Sequence, residues 1–80
     1  MDDIQKFLRK VDAKLREQLL AAMRNIRLGQ NMDTLDIKPL EGKKGWFRCR
    51  VRDARIIYFQ DAHGKNVLYK ADFRGSVYKR

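Results

Sequence analysis

Apolar residues fall at three- and four-residue steps through the first third of the chain. Ile4, Phe7, Leu8, Val11, Leu15, Leu19, Met23 and Ile26 form one stripe, with good helix formers between them and no proline or interior glycine. The spacing predicts helix over residues 1–28, with Asp2 or Asp3 capping its start and Gly29 closing its end. Asp12 leaves two readings open. It is an exposed residue of one long helix, or the N-cap of a second helix starting at Ala13; the unbroken stripe favours one helix. Residues 29–45, GQNMDTLDIKPLEGKKG, hold three of the five glycines and the only proline. They read as loop, with Leu35, Ile37 and Leu40 pinning it to the core.

From Trp46 onward the pattern changes to strand. Trp46–Arg52, Ala54–Gln60 and Asn66–Phe73 are rich in aromatic and β-branched residues. Asp53 falls in a tight turn, and DAHGKN (residues 61–66) reads as a hairpin turn. The result is an α+β chain: one helical layer against one face of an antiparallel meander of about three strands, a single domain over 1–80 divided into 1–28, 29–45 and 46–78.

Strand alternation assigns the faces. Phe47, Cys49 and Val51 point toward the helices, and Trp46, Arg48, Arg50 and Arg52 away from them. Arg55 goes with Ile57 and Phe59. Placing Val67, Tyr69, Ala71 and Phe73 in the core turns Lys70 and Arg74 to the helix-free side. That side therefore gathers Arg48, Arg50, Arg55, Lys70 and Arg74, with only Asp72 to neutralise them. A solvated face needs no cations in such excess, because like charges opposite one another repel. Arginine on a rigid strand suits phosphate, to which its planar fork donates two hydrogen bonds.

The charge balance points the same way. The chain carries nineteen Lys and Arg against ten Asp and Glu, net +9. Residues 1–40 hold eight cations and six anions, and residues 41–80 hold eleven and four, so +7 of the charge lies in the second half. Such a field implies a polyanionic partner, nucleic acid or a strongly acidic protein. One histidine and one cysteine cannot build an ordinary zinc site, and a single cysteine fits a reducing cytoplasm. No stretch is long enough for a membrane span, and the start lacks the order of a secretory signal. His63 reads as a turn residue remote from the cationic face, Cys49 as a small core residue, and Tyr58 and Tyr69 as core. Trp46 either caps the sheet or stacks on a base, with the cap preferred.

Five ordered pieces carry a resemblance: Pro39-Leu40-Glu41-Gly42, Phe47-Arg48-Cys49-Arg50, Arg55-Ile56-Ile57-Tyr58, Arg74, and Val77-Tyr78. Together they resemble the RelE/ParE superfamily of toxins from type II toxin–antitoxin systems, on the RelE side, over roughly residues 35–78. The resemblance implies a helical hairpin on an antiparallel sheet, and so a helix break near Val11–Asp12, although the short strand with which the family usually opens is missing here. It implies a ribosome-dependent endoribonuclease that needs no metal or other cofactor: the 2′-hydroxyl of the messenger RNA attacks the adjacent phosphate. Arg48, Arg50, Arg55, Arg74 and Tyr78 match the family's catalytic positions, while Lys43, Lys44, Arg52 and Lys70, like Lys65, would steer phosphate. Arg50 stands where some members carry lysine. Arginine is a poor base, so the proton acceptor is Tyr78 or is not supplied by this chain. The implied partners are an acidic antitoxin, the ribosome and its messenger, with self-association through an open sheet edge. A ParE-like gyrase inhibitor and an inactive relative that only binds its antitoxin are the competing readings.

Overall fold

The structure is a computed structural model that describes residues 3–73. Its elements are α1 (Asp3–Lys10), α2 (Ala13–Leu28), a short 3-10 turn (Met32–Thr34), β1 (Asp36–Pro39), β2 (Trp46–Val51), β3 (Ala54–Gln60) and β4 (Asn66–Phe73). The strands form one antiparallel sheet in the order β1-β2-β3-β4, and the helices cover one of its faces.

The apolar stripe continues through Phe7, Val11, Leu15 and Leu19, all buried, yet the helix breaks beneath it. Asp12 adopts extended backbone and its Oδ1 accepts from the Leu15 amide at 2.8 Å, making it the N-cap of α2. Arg16 closes the joint from the other side. Its Nε donates to the Leu8 carbonyl at 2.8 Å and its Nη2 to the Val11 carbonyl at 2.9 Å, satisfying carbonyls that the end of α1 leaves open. The hairpin implied by the family resemblance is therefore correct, and the single helix favoured by periodicity is not. A buried stripe reports which side of the chain faces the core. It does not report whether the backbone between its members is continuous.

Gly29 ends α2 with φ 68, and the amides of Gly29 and Gln30 donate to the carbonyls of Ile26 and Asn25. Asn66 Nδ2 donates to the same Ile26 carbonyl at 2.9 Å, tying the start of β4 to the end of α2. Leu19, Ile26, Cys49 and Ile56 are the fully buried centre of the core, and Phe7 packs edge-on against Phe73 at 4.9 Å.

The loop expected over 29–45 contains a fourth strand. Ile37 pairs with Cys49 and packs on the core, while Asp36 and Lys38 pair with Arg50 and Arg48. Leu35-Asp36-Ile37-Lys38 does alternate with a period of two, but the run is short and ends in proline, a residue tolerated at a sheet edge. Arg52 is not a strand residue. It occupies the two-residue turn between β2 and β3 with φ 56.

The largest departure from simple alternation is in β4. Ile57 pairs with Lys70 but Tyr58 pairs with Leu68, so Tyr69 is an extra residue, a β-bulge. The bulge shifts the phase by one. Leu68, Ala71 and Phe73 pack on the core as a set, and Tyr69, expected inside, is 56% exposed. Val67, also expected inside, pairs with Phe59 on the helix-free side. Tyr58 is buried, as expected, and stacks on Phe47 at 5.3 Å.

Candidate anion-binding face

The register sorts the helix-free face into three rows that cross the sheet. The first is Asp36, Arg50, Arg55, Asp72; the second is Lys38, Arg48, Ile57, Lys70; the third is Trp46, Phe59, Val67, with Tyr69 beside them at the bulge.

The first row is internally compensated. Arg50 and Arg55 face each other, and each has a carboxylate on its outer side, Asp36 on β1 and Asp72 on β4. Arg55 Nε donates to Asp72 Oδ1 at 2.8 Å, and Lys70 Nζ lies 3.7 Å from Asp72 Oδ2. All three side chains are over a third exposed, so each pair contributes under about 1 kcal/mol and leaves the guanidinium free to rotate toward another anion. Arg50 Nε is shut off from solvent without a hydrogen-bond partner.

The second row carries the surplus of positive charge. Lys38 and Arg48 are direct cross-strand neighbours, and Lys70 is shared only weakly with Asp72. Between them Ile57, at 6% exposure, is nearly covered although it faces away from the helices. Its cross-strand partners on this face are Arg48 and Lys70, whose side chains are long enough to cover it while their charged ends stay in water.

Thus Arg48, Arg50, Arg55 and Lys70 do meet on one face. Lys38 belongs with them and was missed because its segment reads as loop; Asp36, a second acid on the face, was missed for the same reason. Lys43 Nζ stands 5.2 Å over the Trp46 ring at the aromatic end, and Lys44 is exposed in the same loop. Gly42 and Gly45, both at positive φ, give that loop its shape. Arg52 sits at the opposite end, beyond the strand. Arg74 and Tyr78 lie outside the described residues.

His63 is exposed in the β3–β4 turn, where Asp61 Oδ1 accepts from the amides of His63 and Lys65. Cys49 lies fully buried on the opposite side of β2 from the arginines, and burial, reinforced by the nearby Asp36 carboxylate, pushes its thiol up to about 11. It is a packing residue without nucleophilic character. Among the described residues no group of three His, Cys, Asp or Glu could hold a metal ion, and no helix is long and apolar enough to cross a membrane.

A second surface is apolar. Ile4, Leu8, Leu20, Met23 and Leu68 line an apolar groove between the helices and the start of β4, with Arg24 and Arg27 on its rim.

Two helices on a four-stranded antiparallel meander, with a cationic open face, define a RelE-like fold. The comparison with solved structures agrees: a chain of the RelB–RelE antitoxin–toxin complex from Methanococcus jannaschii superposes with a TM-score of 0.77 over 98% of this chain and 92% of that one, at 21% sequence identity. No protein-family model matches the chain, and no curated protein sequence matches it. At this identity the likeness establishes the fold.

Proposed function

We propose that this chain is the toxin of a toxin–antitoxin pair and acts as a metal-independent endoribonuclease on messenger RNA in the ribosome. The observation that carries the reading is the surplus of cations at Lys38, Arg48 and Lys70 beside the facing Arg50–Arg55 pair, on the face that the helices leave open. Attack by a 2′-hydroxyl needs the substrate aligned and the charge of a pentavalent phosphate stabilised. Arg48 and the free guanidinium nitrogens of Arg55 supply donors for that charge, and rigid strands hold them. A guanidinium is a poor proton acceptor, so the arginines serve as donors and not as the base. Tyr78 or the ribosome takes that role, and Arg74 adds a further donor.

The solved relative is a complex of antitoxin and toxin, and two features here suit an acidic protein partner. The apolar groove rimmed by Arg24 and Arg27 fits an amphipathic acidic segment, and β4 pairs on one side only among the described residues, so its edge can accept a strand or a second copy. The Asp72–Arg55 pair favours a second reading, a chain that binds a partner protein without cutting RNA, because a nuclease has to draw Arg55 away from Asp72.

The deciding experiment is controlled expression, with primer extension on ribosome-bound messages. Growth arrest with new cleavage ends, lost in Arg48→Ala and Arg55→Ala proteins that remain folded, is the expected result; loss of one charge-stabilising donor costs about 10²–10³ in rate. Arrest without cleavage would move the assignment to a protein target such as gyrase.

A further inference from the structure

The aromatic end of the helix-free face has no part in the phosphate chemistry just proposed. Trp46 packs on Phe59 at 4.8 Å with the rings tilted by 35°, and Tyr69 meets Trp46 at 5.0 Å with the rings nearly perpendicular. Trp46 is in addition under the Lys43 ammonium. Trp46 and Phe59 are thus largely occupied with each other and their neighbours, and both are only partly exposed. Tyr69 is not: it is 56% exposed, the most open aromatic side chain of the described residues.

Its position has a specific structural cause. The extra residue in β4 turns Tyr69 to the cationic side; uninterrupted alternation from Ala71 and Phe73 would bury it. Bulges are a recurrent means of re-aiming one side chain beside a functional site. More than half of the Tyr69 side chain stays open to solvent, while one edge contact joins it to the Trp46 ring.

We infer that Tyr69, braced by Trp46 and Phe59, is a stacking platform for one nucleobase of a single-stranded RNA whose phosphates lie on the adjoining cation row. The inference rests on the anion-binding face of the proposed function and adds to it a site for the base. Strand geometry sets the scale. With a rise of about 3.3 Å per residue, Arg48 lies roughly 7 Å from Trp46 along β2 and Arg50 roughly 13 Å. An aromatic row followed by a cation row repeats the separation of base and phosphate within nucleotides. Every base presents a π-face, so the platform holds a base without selecting its identity, and the tyrosine hydroxyl leaves the ring amphipathic enough to remain open to water when no RNA is bound. An acidic protein segment would satisfy the cations equally well but would give no reason for an exposed ring beside them. The alternation of ring and charge therefore favours RNA.

The test compares a short unstructured RNA with an abasic ribose-phosphate chain of the same length, using anisotropy with the full chain at low salt. Trp46 is the only tryptophan, so its emission also reports events at the platform. The wild-type protein is expected to bind RNA more tightly than the abasic chain and to change its Trp46 emission with RNA alone. Tyr69→Ala is expected to lose about 5- to 150-fold in RNA affinity, the range for one stacked base, with affinity for the abasic chain unchanged. Tyr69→Phe and Tyr69→Trp keep the wild-type affinities for both polymers, which separates stacking from a structural effect. If Tyr69→Ala weakens both polymers equally, or neither, the platform is overturned; a protein ligand whose binding alone falls in Tyr69→Ala overturns it as well. In those cases Arg48→Ala still weakens both polymers and the anion-binding face stands. A wild-type protein that binds neither polymer overturns both.

Discussion

Arg50 and Arg55 stand directly opposite each other across β2 and β3. Two like charges in that arrangement repel, at a cost of a few tenths to about 1 kcal/mol on a solvated sheet. The structure offsets the cost by continuing the same row outward to Asp36 on one side and Asp72 on the other. The neighbouring row has no acid of its own. The face is therefore graded: one line of balanced charge beside one line of unbalanced charge, with aromatic rings beyond. An incoming polyanion meets Arg48 and its neighbours before it competes with Asp72 for Arg55.

Replacing Asp72 by Asn tests that competition. The Arg55–Asp72 and Lys70–Asp72 contacts are exposed, so the variant should lose less than about 1 kcal/mol of stability in urea unfolding. Its affinity for single-stranded RNA at low salt should rise several-fold, because two cations are released and the net charge increases. The slope of log affinity against log salt should steepen, by about 0.7 for each added phosphate contact. A fall in affinity would instead show that Asp72 holds Arg55 in its binding pose.

What the sequence made legible follows from where each pattern is strong. Alternation puts the arginines of β2 and β3 on the correct face because neither strand is interrupted: β2 has one clearly apolar side, and β3, apolar on both sides, is marked by Arg55 alone. Lys38 and Asp36 were not found, since a four-residue edge strand that ends in proline gives too little alternation to outweigh its glycine-rich surroundings. Alternation puts Tyr69 on the wrong face because a bulge leaves no mark in an apolar strand. Asn66-Val67-Leu68-Tyr69 offers an apolar residue in either phase, and the choice is made by pairing with β3 and by the aromatic contacts to Trp46. The break at Asp12 was hidden by a stripe that continues across it, and only the family resemblance indicated it.

That break depends on Arg16 and Asp12. Charged donors to carbonyls contribute about 1.5–3 kcal/mol per bond, and Arg16 makes two such bonds, both partly exposed. Arg16→Ala should therefore cost about 2 kcal/mol, and Asp12→Ala about 1 kcal/mol through loss of the N-cap. In a domain of this size, 1 kcal/mol corresponds to about 4–8 °C in Tm, so thermal unfolding resolves the two effects. Neither residue touches the cationic face, and the RNA affinity of both folded variants should match the wild type. An Arg16→Ala protein as stable as the wild type would show that packing of Val11 and Leu15 suffices to hold the hairpin.

Arg52 offers a change in the opposite direction. It holds φ 56 in the turn between β2 and β3, a conformation that costs a residue with a β-carbon about 1–2 kcal/mol. Asn tolerates the region better, and Gly adopts it freely at an entropic cost of about 0.5–1 kcal/mol. Arg52→Asn and Arg52→Gly should each stabilise the protein by about 0.5–1 kcal/mol, raising Tm by several degrees. Both remove a charge that lies beyond the rows of the face. RNA affinity should then fall only slightly, and the fall should vanish at physiological salt, as expected for steering without direct contact.

Stability at alkaline pH should depend on Cys49. Its thiol is raised from 9.0 to about 11, chiefly by burial. The folded chain therefore keeps its proton where the unfolded chain releases it. Between about pH 9 and 11 the native state binds more protons than the unfolded state, so stability must fall as pH rises, and the contribution present below pH 9 is lost by the time the folded thiol itself ionises. A shift of this size corresponds to about 2–3 kcal/mol. Tyr58, also raised by burial, acts in the same sense. The quantity to measure is the difference between the wild type and Cys49→Ala. The variant should be less stable at pH 7, since it leaves a small cavity beside Ile56, but it should lose less stability on going to pH 11, so the two curves converge. Parallel curves would mean that the thiol can ionise without unfolding the core. In that event a thiol reagent should label native Cys49 at pH 10 as fast as it labels the unfolded chain, whereas a buried, protonated thiol reacts only through global opening.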